Sequence, residues 1–241
     1  MYLIDIVANH LPNRKLKNNI LMIGITGNVC SGKSTFASYL KKEINRVYPT
    51  ERVQIISTDD FLYSNEELNE KHLFDKKGWV ETYNEEKIAA FFSYLFQNKS
   101  VVLRGVYDQV VGDIINKNQQ INNPSILIIE GTMALNSLFN SYIDFSLFLN
   151  VELNLNFKWY QQRTMKNISS KKEYAQIAPE KKDLLISSIW EEINMRAYYT
   201  YILPVKNQAD MLVELDRNHE IKKIEYNKKI KIMEVAKKHF L

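Results

Sequence analysis

The chain carries its clearest signal at Gly27-Asn28-Val29-Cys30-Ser31-Gly32-Lys33-Ser34, which matches the phosphate-binding pattern G-x-x-x-x-G-K-[ST] at every defined position. The apolar run Ile20–Ile25 precedes this stretch, and the helical pattern Lys33–Val47 follows it. Glycines allow a tight turn whose N–H groups face phosphates, and the helix N-terminus adds a partial positive charge. Strand, loop and helix together therefore predict a site for the phosphates of a nucleotide.

The pattern also predicts what single residues of this loop do. Lys33 should reach the β- and γ-phosphates of ATP, and Ser34 should ligate Mg²⁺. Thr35 comes next and supports the start of the helix, so we expect all of Gly27–Thr35 to contact the nucleotide. Cys30 occupies a variable position, where it is either a passive small residue or a thiol whose pKa the helix N-terminus lowers.

Further apolar runs indicate more buried strands. They are Val53–Ile56, Ile126–Ile129, Phe145–Leu149 and, as a possible last strand, Met211–Leu215. Runs that are apolar on both faces suit parallel strands covered by helices. The helical patterns that alternate with them are Lys33–Val47, Glu85–Gln97 with Asn84 as its cap, Leu153–Lys166, and Lys181–Leu203 before Pro204. This alternation predicts an α/β fold of the P-loop NTPase type, with a doubly wound, mainly parallel sheet flanked by helices.

Length and composition fit a single domain over residues 1–241, with a short N-terminal segment, 1–19, and a lysine-rich C-terminal helix, 222–241. The net charge of +4 is weak support for nucleic-acid binding, and a single cysteine excludes an intramolecular disulfide. No window approaches the roughly 18 apolar residues of a membrane span. The first residues do not resemble a signal peptide. We therefore expect a soluble cytoplasmic protein without nucleic-acid or membrane partners.

Acidic residues follow two of the predicted strands. Asp59 and Asp60 come after Val53–Ile56, and Glu130 comes directly after Ile126–Ile129. Phosphoryl transfer needs a carboxylate near the acceptor hydroxyl and another near the metal. Asp59 is the candidate for the first role, with Asp60 as its competitor, and Glu130 would hold Mg²⁺ directly or through water. The alternative is that these acids only cap the loops that follow.

Other nucleotide-binding classes fit the sequence less well. GTPases read their base with Asn-Lys-x-Asp, and the stretch Asn116-Lys117-Asn118-Gln119 lacks the aspartate. No signature of a transporter ATPase is present either. These exclusions favour a kinase.

Ten segments in chain order carry a more specific likeness. They are Ile23–Ser34, Ile56–Leu62, Lys76–Tyr83, Val106–Tyr107, Ile129–Gly131, Ile143–Ser146, Trp159–Arg163, Trp190–Asn194, Ile202–Pro204 and Asn218–His219. In these segments the chain resembles the type I (prokaryotic) pantothenate kinases, relatives of uridine kinase and phosphoribulokinase. Lys76–Tyr83, for example, looks like that family's Lys-Lys-Gly-Phe-Pro-Glu-Ser-Tyr. The likeness covers about Leu21 to Tyr226.

The resemblance implies ATP-dependent phosphorylation of pantothenate to 4′-phosphopantothenate, the first step of coenzyme A biosynthesis, by a homodimer. It implies these site residues: Asp59 as the catalytic carboxylate, Tyr107, Tyr160, Arg163 and Asn194 around pantothenate, and Asn218 and His219 near the adenine. Arg163 would also stabilise the transferring phosphoryl group, as a nearby cation does. Taken alone, Tyr160 could equally be a core residue, and Arg163 and His219 could be surface residues.

Departures from the family pattern keep other functions open. Gln109 stands where the family has histidine, and Ser38 stands where it has an arginine implicated in coenzyme A inhibition. The segment before the loop is also shorter than is usual there. A uridine kinase-like or other small-alcohol kinase, and a non-catalytic nucleotide-binding regulatory module, are therefore alternatives. The polar stretch Asn167–Glu173 is either a mobile lid over the phosphates or a solvated loop.

Overall fold

The computed structural model describes residues 19–169 and 176–227 of the chain. Its main sheet has six strands in the order β2-β5-β1-β6-β7-β8. Their bounds are β1 Leu21–Gly27, β2 Val53–Ser57, β5 Ile126–Glu130, β6 Phe145–Asn150, β7 Met211–Leu215 and β8 Ile221–Tyr226. The first five strands in this order pair in parallel, and β8 is antiparallel to β7. The predicted doubly wound, mainly parallel sheet is confirmed.

The central strands of the sheet are buried on both faces because they are apolar at successive positions. Ile126 and Ile128 pack into one core, whereas Leu127 and Ile129 of the same strand pack into the other. The helices are α1 Lys33–Val47, α2 Asn65–Glu70, α3 Glu85–Asn98, α4 Ser137–Asn140, α5 Leu153–Ser169 and α6 Pro179–Ile189. Helix α1 covers the first core and α3 covers the second, so the two faces have separate helical layers.

Helix boundaries follow the sequence closely at α1 and α3. Asn84 caps α3, since its side chain accepts a hydrogen bond from the N–H of Lys87 at 2.9 Å. The predicted helix Lys181–Leu203 is helical but not uniform. After α6 the chain forms two π-helical segments, Trp190–Met195 and Tyr198–Ile202, and then a 3₁₀ segment, Leu203–Gln208. Such π turns widen the helix and recur at functional sites.

A hairpin that the sequence analysis did not predict forms a second, two-stranded sheet. Its strands are β3, Ser100–Asp108, and β4, Asp113–Asn122. The hairpin lies beside β2, the edge strand of the main sheet. There the Gln119 side chain donates to the carbonyl of Ile55 at 2.7 Å, and the Asn122 N–H donates to the Gln54 side chain at 2.9 Å. These bonds hold the hairpin against the main sheet.

The predicted C-terminal helix, 222–241, is wrong over its first residues, because Ile221–Tyr226 forms β8. The Asp216 carboxylate accepts hydrogen bonds from the N–H groups of Asn218 and Glu220, and this turn returns the chain along the open edge of β7. Residues 228–241 lie outside the described residues, as do 1–18 of the N-terminal segment.

The first three residues of the predicted lid, Asn167–Glu173, belong to α5, and residues 170–173 lie outside the described residues. Among the helices of ranges 19–169 and 176–227, none is both long enough and apolar enough to cross a membrane.

Candidate active site

The P-loop, Gly27–Ser34, joins β1 to α1 as the pattern predicts. The Lys33 amine donates to the carbonyl of Asn28 at 2.7 Å, so the side chain folds back over its own loop. A Cβ on Gly27 would lie 2.6 Å from the carbonyl oxygen of Leu149, which is why only glycine fits there. Burial lowers the pKa of Lys33, and the carboxylates of Glu130 and Asp59 oppose that effect. Lys33 thus lies between the loop carbonyl and two acidic residues.

The two residues predicted to hold the metal contact each other. The Ser34 hydroxyl donates to a carboxylate oxygen of Glu130 at 2.9 Å. Glu130 is buried at the end of β5, and burial raises its pKa while Lys33 opposes the rise. A hydroxyl and a carboxylate are oxygen donors of the kind that Mg²⁺ takes.

The ends of β2 and β5 meet very closely. A Cβ built on Gly131 would lie 1.7 Å from the Thr58 hydroxyl oxygen. Thr58 and Asp59 follow β2, and Gly131 follows Glu130. The two carboxylate-bearing strand ends therefore approach each other only because residue 131 has no side chain.

Asp59 and Asp60 have different environments. Asp60 is 4% exposed, and its carboxylate accepts hydrogen bonds from the N–H groups of Tyr107 at 2.9 Å and Ser57 at 3.1 Å. Burial raises the pKa of Asp60 to about 6, although the hydrogen bonds from these two N–H groups lower it. Asp60 therefore ties β3 to the end of β2, as a structural anchor.

Asp59 faces an open cavity instead. Its two carboxylate oxygens accept hydrogen bonds from the Tyr83 hydroxyl at 3.4 Å and the Gln109 amide at 3.3 Å. Both donors lack a charge at neutral pH, so they orient the carboxylate without neutralising it. Of the two competing aspartates, the geometry favours Asp59 for contact with a substrate.

This central cavity, of about 210 Å³, brings the predicted phosphate and acceptor residues together. Its predicted members are Asn28, Val29, Cys30, Lys33, Ser34, Asp59, Tyr107, Glu130, Arg163 and Asn194. The polar residues that the sequence analysis did not assign are Lys77, Gln109 and Thr132. The apolar wall comes from Leu62, Trp79, Met133, Ile193, Ala197 and Ile202. The cavity lining thus combines charged, polar and apolar residues.

The segment that contains Lys77 and Trp79 closes the cavity from one side. The Lys77 amine donates to the Gly112 carbonyl at 2.5 Å and to the Asn65 side chain, and it lies 5.0 Å from the centre of the Tyr107 ring. The Trp79 indole N–H donates to the carbonyl of Ile193 at 3.2 Å. Ile193 precedes Asn194 in the first π-helical segment. This segment therefore fixes both the hairpin tip and the π-helical wall.

Comparison with known proteins identifies related sequences and structures. The family model described as phosphoribulokinase / uridine kinase family matches residues 22–222. The chain belongs to this family. A pantothenate kinase of Latilactobacillus sakei is 33% identical over 218 residues, covering 84% of this chain and 71% of that protein. A pantothenate kinase of Streptococcus pyogenes is 32% identical with the same coverage.

Among solved structures, D-glycerate 3-kinase from Cryptococcus neoformans aligns with a TM-score of 0.65 over 94% of this chain and 99% of that chain. At 13% identity this likeness shows the fold alone. The family and the kinase relatives make the chain an ATP-using phosphotransferase whose acceptor is an alcohol group of a small molecule. The resemblance seen in the sequence is confirmed.

Seven of the predicted site residues do not line the central cavity: Gly27, Ser31, Gly32, Thr35, Tyr160, Asn218 and His219. Tyr160 packs against Trp190, and its hydroxyl shares hydrogen bonds with the side chains of Asn194 and Thr164. Burial raises the pKa of Tyr160, so the hydroxyl stays neutral. Tyr160 therefore holds the Asn194 side chain by a hydrogen bond and does not itself line the cavity.

The predicted adenine residues lie in the turn between β7 and β8. The His219 ring stacks on Trp159 at 3.7 Å between ring centres, with 23° between the planes. His219 and Trp159 share a surface depression with Thr35, on the outer side of the P-loop. Asn218 is exposed, and its N–H is used by the turn. The sequence analysis gave Trp159 no role. Its place in the matching segment Trp159–Arg163 was the feature of the sequence that could have indicated one.

Proposed function

We propose that this chain transfers the γ-phosphoryl group of Mg-ATP to the 4′-hydroxyl of pantothenate. The observation that carries this proposal is the central cavity, in which Asp59 and Asn194 share one space with Lys33 and Ser34. Pantothenate kinase relatives, 32–33% identical over 84% of the chain, support pantothenate as the acceptor. A homodimer, which the resemblance implies, stays a prediction.

Asp59 would receive or orient the proton of the acceptor hydroxyl. Its hydrogen bonds from Tyr83 and Gln109 hold the carboxylate at the cavity wall. Burial and the charge of Asp59 raise the pKa of Tyr107, so its phenol stays a neutral hydrogen-bond donor beside the acceptor. Acceptor positioning in this scheme comes from fixed, uncharged donors around one carboxylate.

Lys33 and Arg163 would stabilise negative charge on the transferring phosphoryl group. The Arg163 side chain lines the same cavity and contacts the thiol of Cys30 in the P-loop. It also suits the carboxylate of pantothenate, which it could bind through two parallel hydrogen bonds.

Ser34 and Glu130 would hold Mg²⁺, which supplies a positive charge that neutralises the phosphates. Mg²⁺ in kinases takes one or two protein ligands and completes its shell with phosphate oxygens and water. The described residues contain no group of three or more His, Cys, Asp or Glu that could form an all-protein metal site. The Ser34–Glu130 pair would supply the one or two protein ligands that a nucleotide-bound Mg²⁺ needs.

An acceptor screen tests the proposal. ADP release is measured with pantothenate, uridine, ribulose 5-phosphate and glycerate, and ³¹P NMR identifies each phosphorylated product. We expect turnover with pantothenate alone. Turnover with another alcohol and none with pantothenate would reject the acceptor, and ATP binding without ADP release for any alcohol would favour a regulatory module.

Variants separate chemistry from folding in the same assay. Lys33→Ala and Asp59→Asn should abolish phosphorylation while circular dichroism stays unchanged. Asp75→Asn, at an exposed aspartate outside the cavity, is the matched control and should keep full activity. An Asp59→Asn enzyme with unchanged kcat would show that Asp59 does not act on the hydroxyl proton.

A further inference from the structure

Asn156 is a fully buried polar residue on α5 that no step above uses. It is 0% exposed, and its side-chain amide donates to the carbonyl oxygen of Val29 in the P-loop at 2.8 Å. Its own amide oxygen is buried without a hydrogen-bond partner among the described residues. Burying an amide oxygen in this state carries a desolvation cost, and asparagine is also a poor helix former. The fold therefore tolerates Asn156 at a cost to stability.

The bond from Asn156 fixes the direction of one peptide group in the P-loop. In a trans peptide the C=O and the next N–H point in opposite directions, and the described residues contain no cis peptide. Holding the Val29 carbonyl toward α5 therefore turns the N–H of Cys30 away from α5. Cys30 has φ of 58°, a left-handed conformation that a residue with a Cβ adopts reluctantly. This part of the loop thus depends on tertiary contacts to keep its shape.

The same helix face carries a second contact to the loop. Asn156, Tyr160 and Arg163 are spaced by four and three residues, so they lie along one side of α5. The Arg163 side chain hydrogen-bonds with the Cys30 thiol. Consecutive residues of the P-loop are therefore held by two side chains from one face of one helix.

We propose that Asn156 is a positioning residue that sets the P-loop against α5, so that the Cys30 N–H and the Arg163 guanidinium meet the same phosphoryl group. The proposal needs ATP-dependent phosphotransfer and does not depend on which alcohol is the acceptor. Its failure would therefore leave the assignment of pantothenate untouched.

Two substitutions at this position test the proposal. Asn156→Leu keeps a similar volume and removes the donor. We expect kcat to fall by about 10- to 100-fold, because misplacing reacting groups by about 1 Å can cost two orders of magnitude. The KM for the acceptor should change much less than kcat, since Asn156 does not line the central cavity. Asn154→Leu, at an exposed position of the same helix, is the control and should keep wild-type kcat.

Asn156→Asp adds a readout that a purely structural role would not move. A protonated carboxyl can donate to the Val29 carbonyl, whereas a carboxylate cannot. The ratio of its kcat to that of the wild type should therefore rise as pH falls, after division by the folded fraction from circular dichroism. A ratio that does not change with pH, or an Asn156→Leu enzyme with wild-type kcat per folded molecule, would overturn the proposal.

Discussion

Replacing Gly131 with alanine would force the ends of β2 and β5 apart. The new Cβ would lie 1.7 Å from the Thr58 hydroxyl oxygen, 2.7 Å from its Cβ and 2.9 Å from its Cγ2. Ordinary contact begins at 3.4 Å, so the hydroxyl must move by about 1.7 Å. Rotating the Thr58 side chain cannot relieve the contact, because its Cβ is itself too close. The backbone that carries Asp59 or Glu130 must therefore shift.

The size of the effect follows from that displacement. Overpacking a tight core costs about 1–3 kcal/mol of unfolding free energy, and more where the backbone must move. A shift of about 1 Å in catalytic groups can lower kcat by about 100-fold. We therefore expect Gly131→Ala to lose at least about 2 kcal/mol of stability and to lose most of its activity even where it folds.

Urea unfolding and steady-state kinetics measure the two effects. Gly24→Ala is the matched control in the neighbouring strand β1. Its nearest contacts would all be side-chain atoms, Leu135 Cδ2 at 2.7 Å and Ile143 Cδ1 and Cγ1 at 3.1 Å, and none would be backbone. We expect it to lose less stability and to keep its kcat. Gly131→Ala with wild-type stability and kcat would refute the close approach of the two strand ends.

Three further predictions concern single side chains. The raised pKa of Asp60, about 6 against an ordinary 3.8, makes the folded protein hold its proton longer than the unfolded chain. The wild type should therefore lose up to about 3 kcal/mol of unfolding free energy, relative to Asp60→Asn, as pH rises from about 4 to 6. A difference between the two proteins that does not change with pH in urea unfolding would contradict this. Trp79→Phe removes the indole donor to Ile193 and should raise the KM for the acceptor by about 2- to 10-fold with the KM for ATP unchanged; an unaltered acceptor KM would disprove the contact's role. His219→Ala removes the ring that stacks on Trp159 and should raise the KM for ATP without changing the KM for the acceptor. An unchanged KM for ATP would show that the adenine binds elsewhere.

The parallel strands and α1 were predictable because their signals are local. The run Ile126–Ile129 is buried on both faces, and a strand of this kind is apolar at every position. The P-loop pattern fixes the strand before it and the helix after it. Neither inference needs knowledge of distant residues.

The hairpin was not predictable in the same way. Much of β4 is polar and half-exposed, and its place is set by contacts of Gln119 and Asn122 with β2. The C-terminal prediction failed for a related reason, because Ile221–Tyr226 mixes lysine and isoleucine in a pattern that suits helix or strand. The segment forms a strand because it pairs with the open edge of β7.

Within the site, the sequence could name both Asp59 and Asp60 but could not choose between them. They are neighbours in one 3₁₀ turn, and only the tertiary fold turns one carboxylate toward the N–H of Tyr107 and the other into the cavity. Lys77 and Trp79 were inside a matching segment, yet their contacts with Gly112 and Ile193 depend on elements far along the chain. Such roles need the fold.

The hairpin that covers β2 also has a consequence for how this chain can evolve. β2 is an edge of the main sheet, and uncovered edges invite pairing between molecules and aggregation. Strand β4 contacts β2, and its hairpin partner β3 carries Tyr107. Gln109 follows β3 at the hairpin tip. A change of acceptor that reshaped this hairpin would therefore also risk solubility. Drift toward new substrates should proceed more readily through the π-helical wall, which protects no sheet edge.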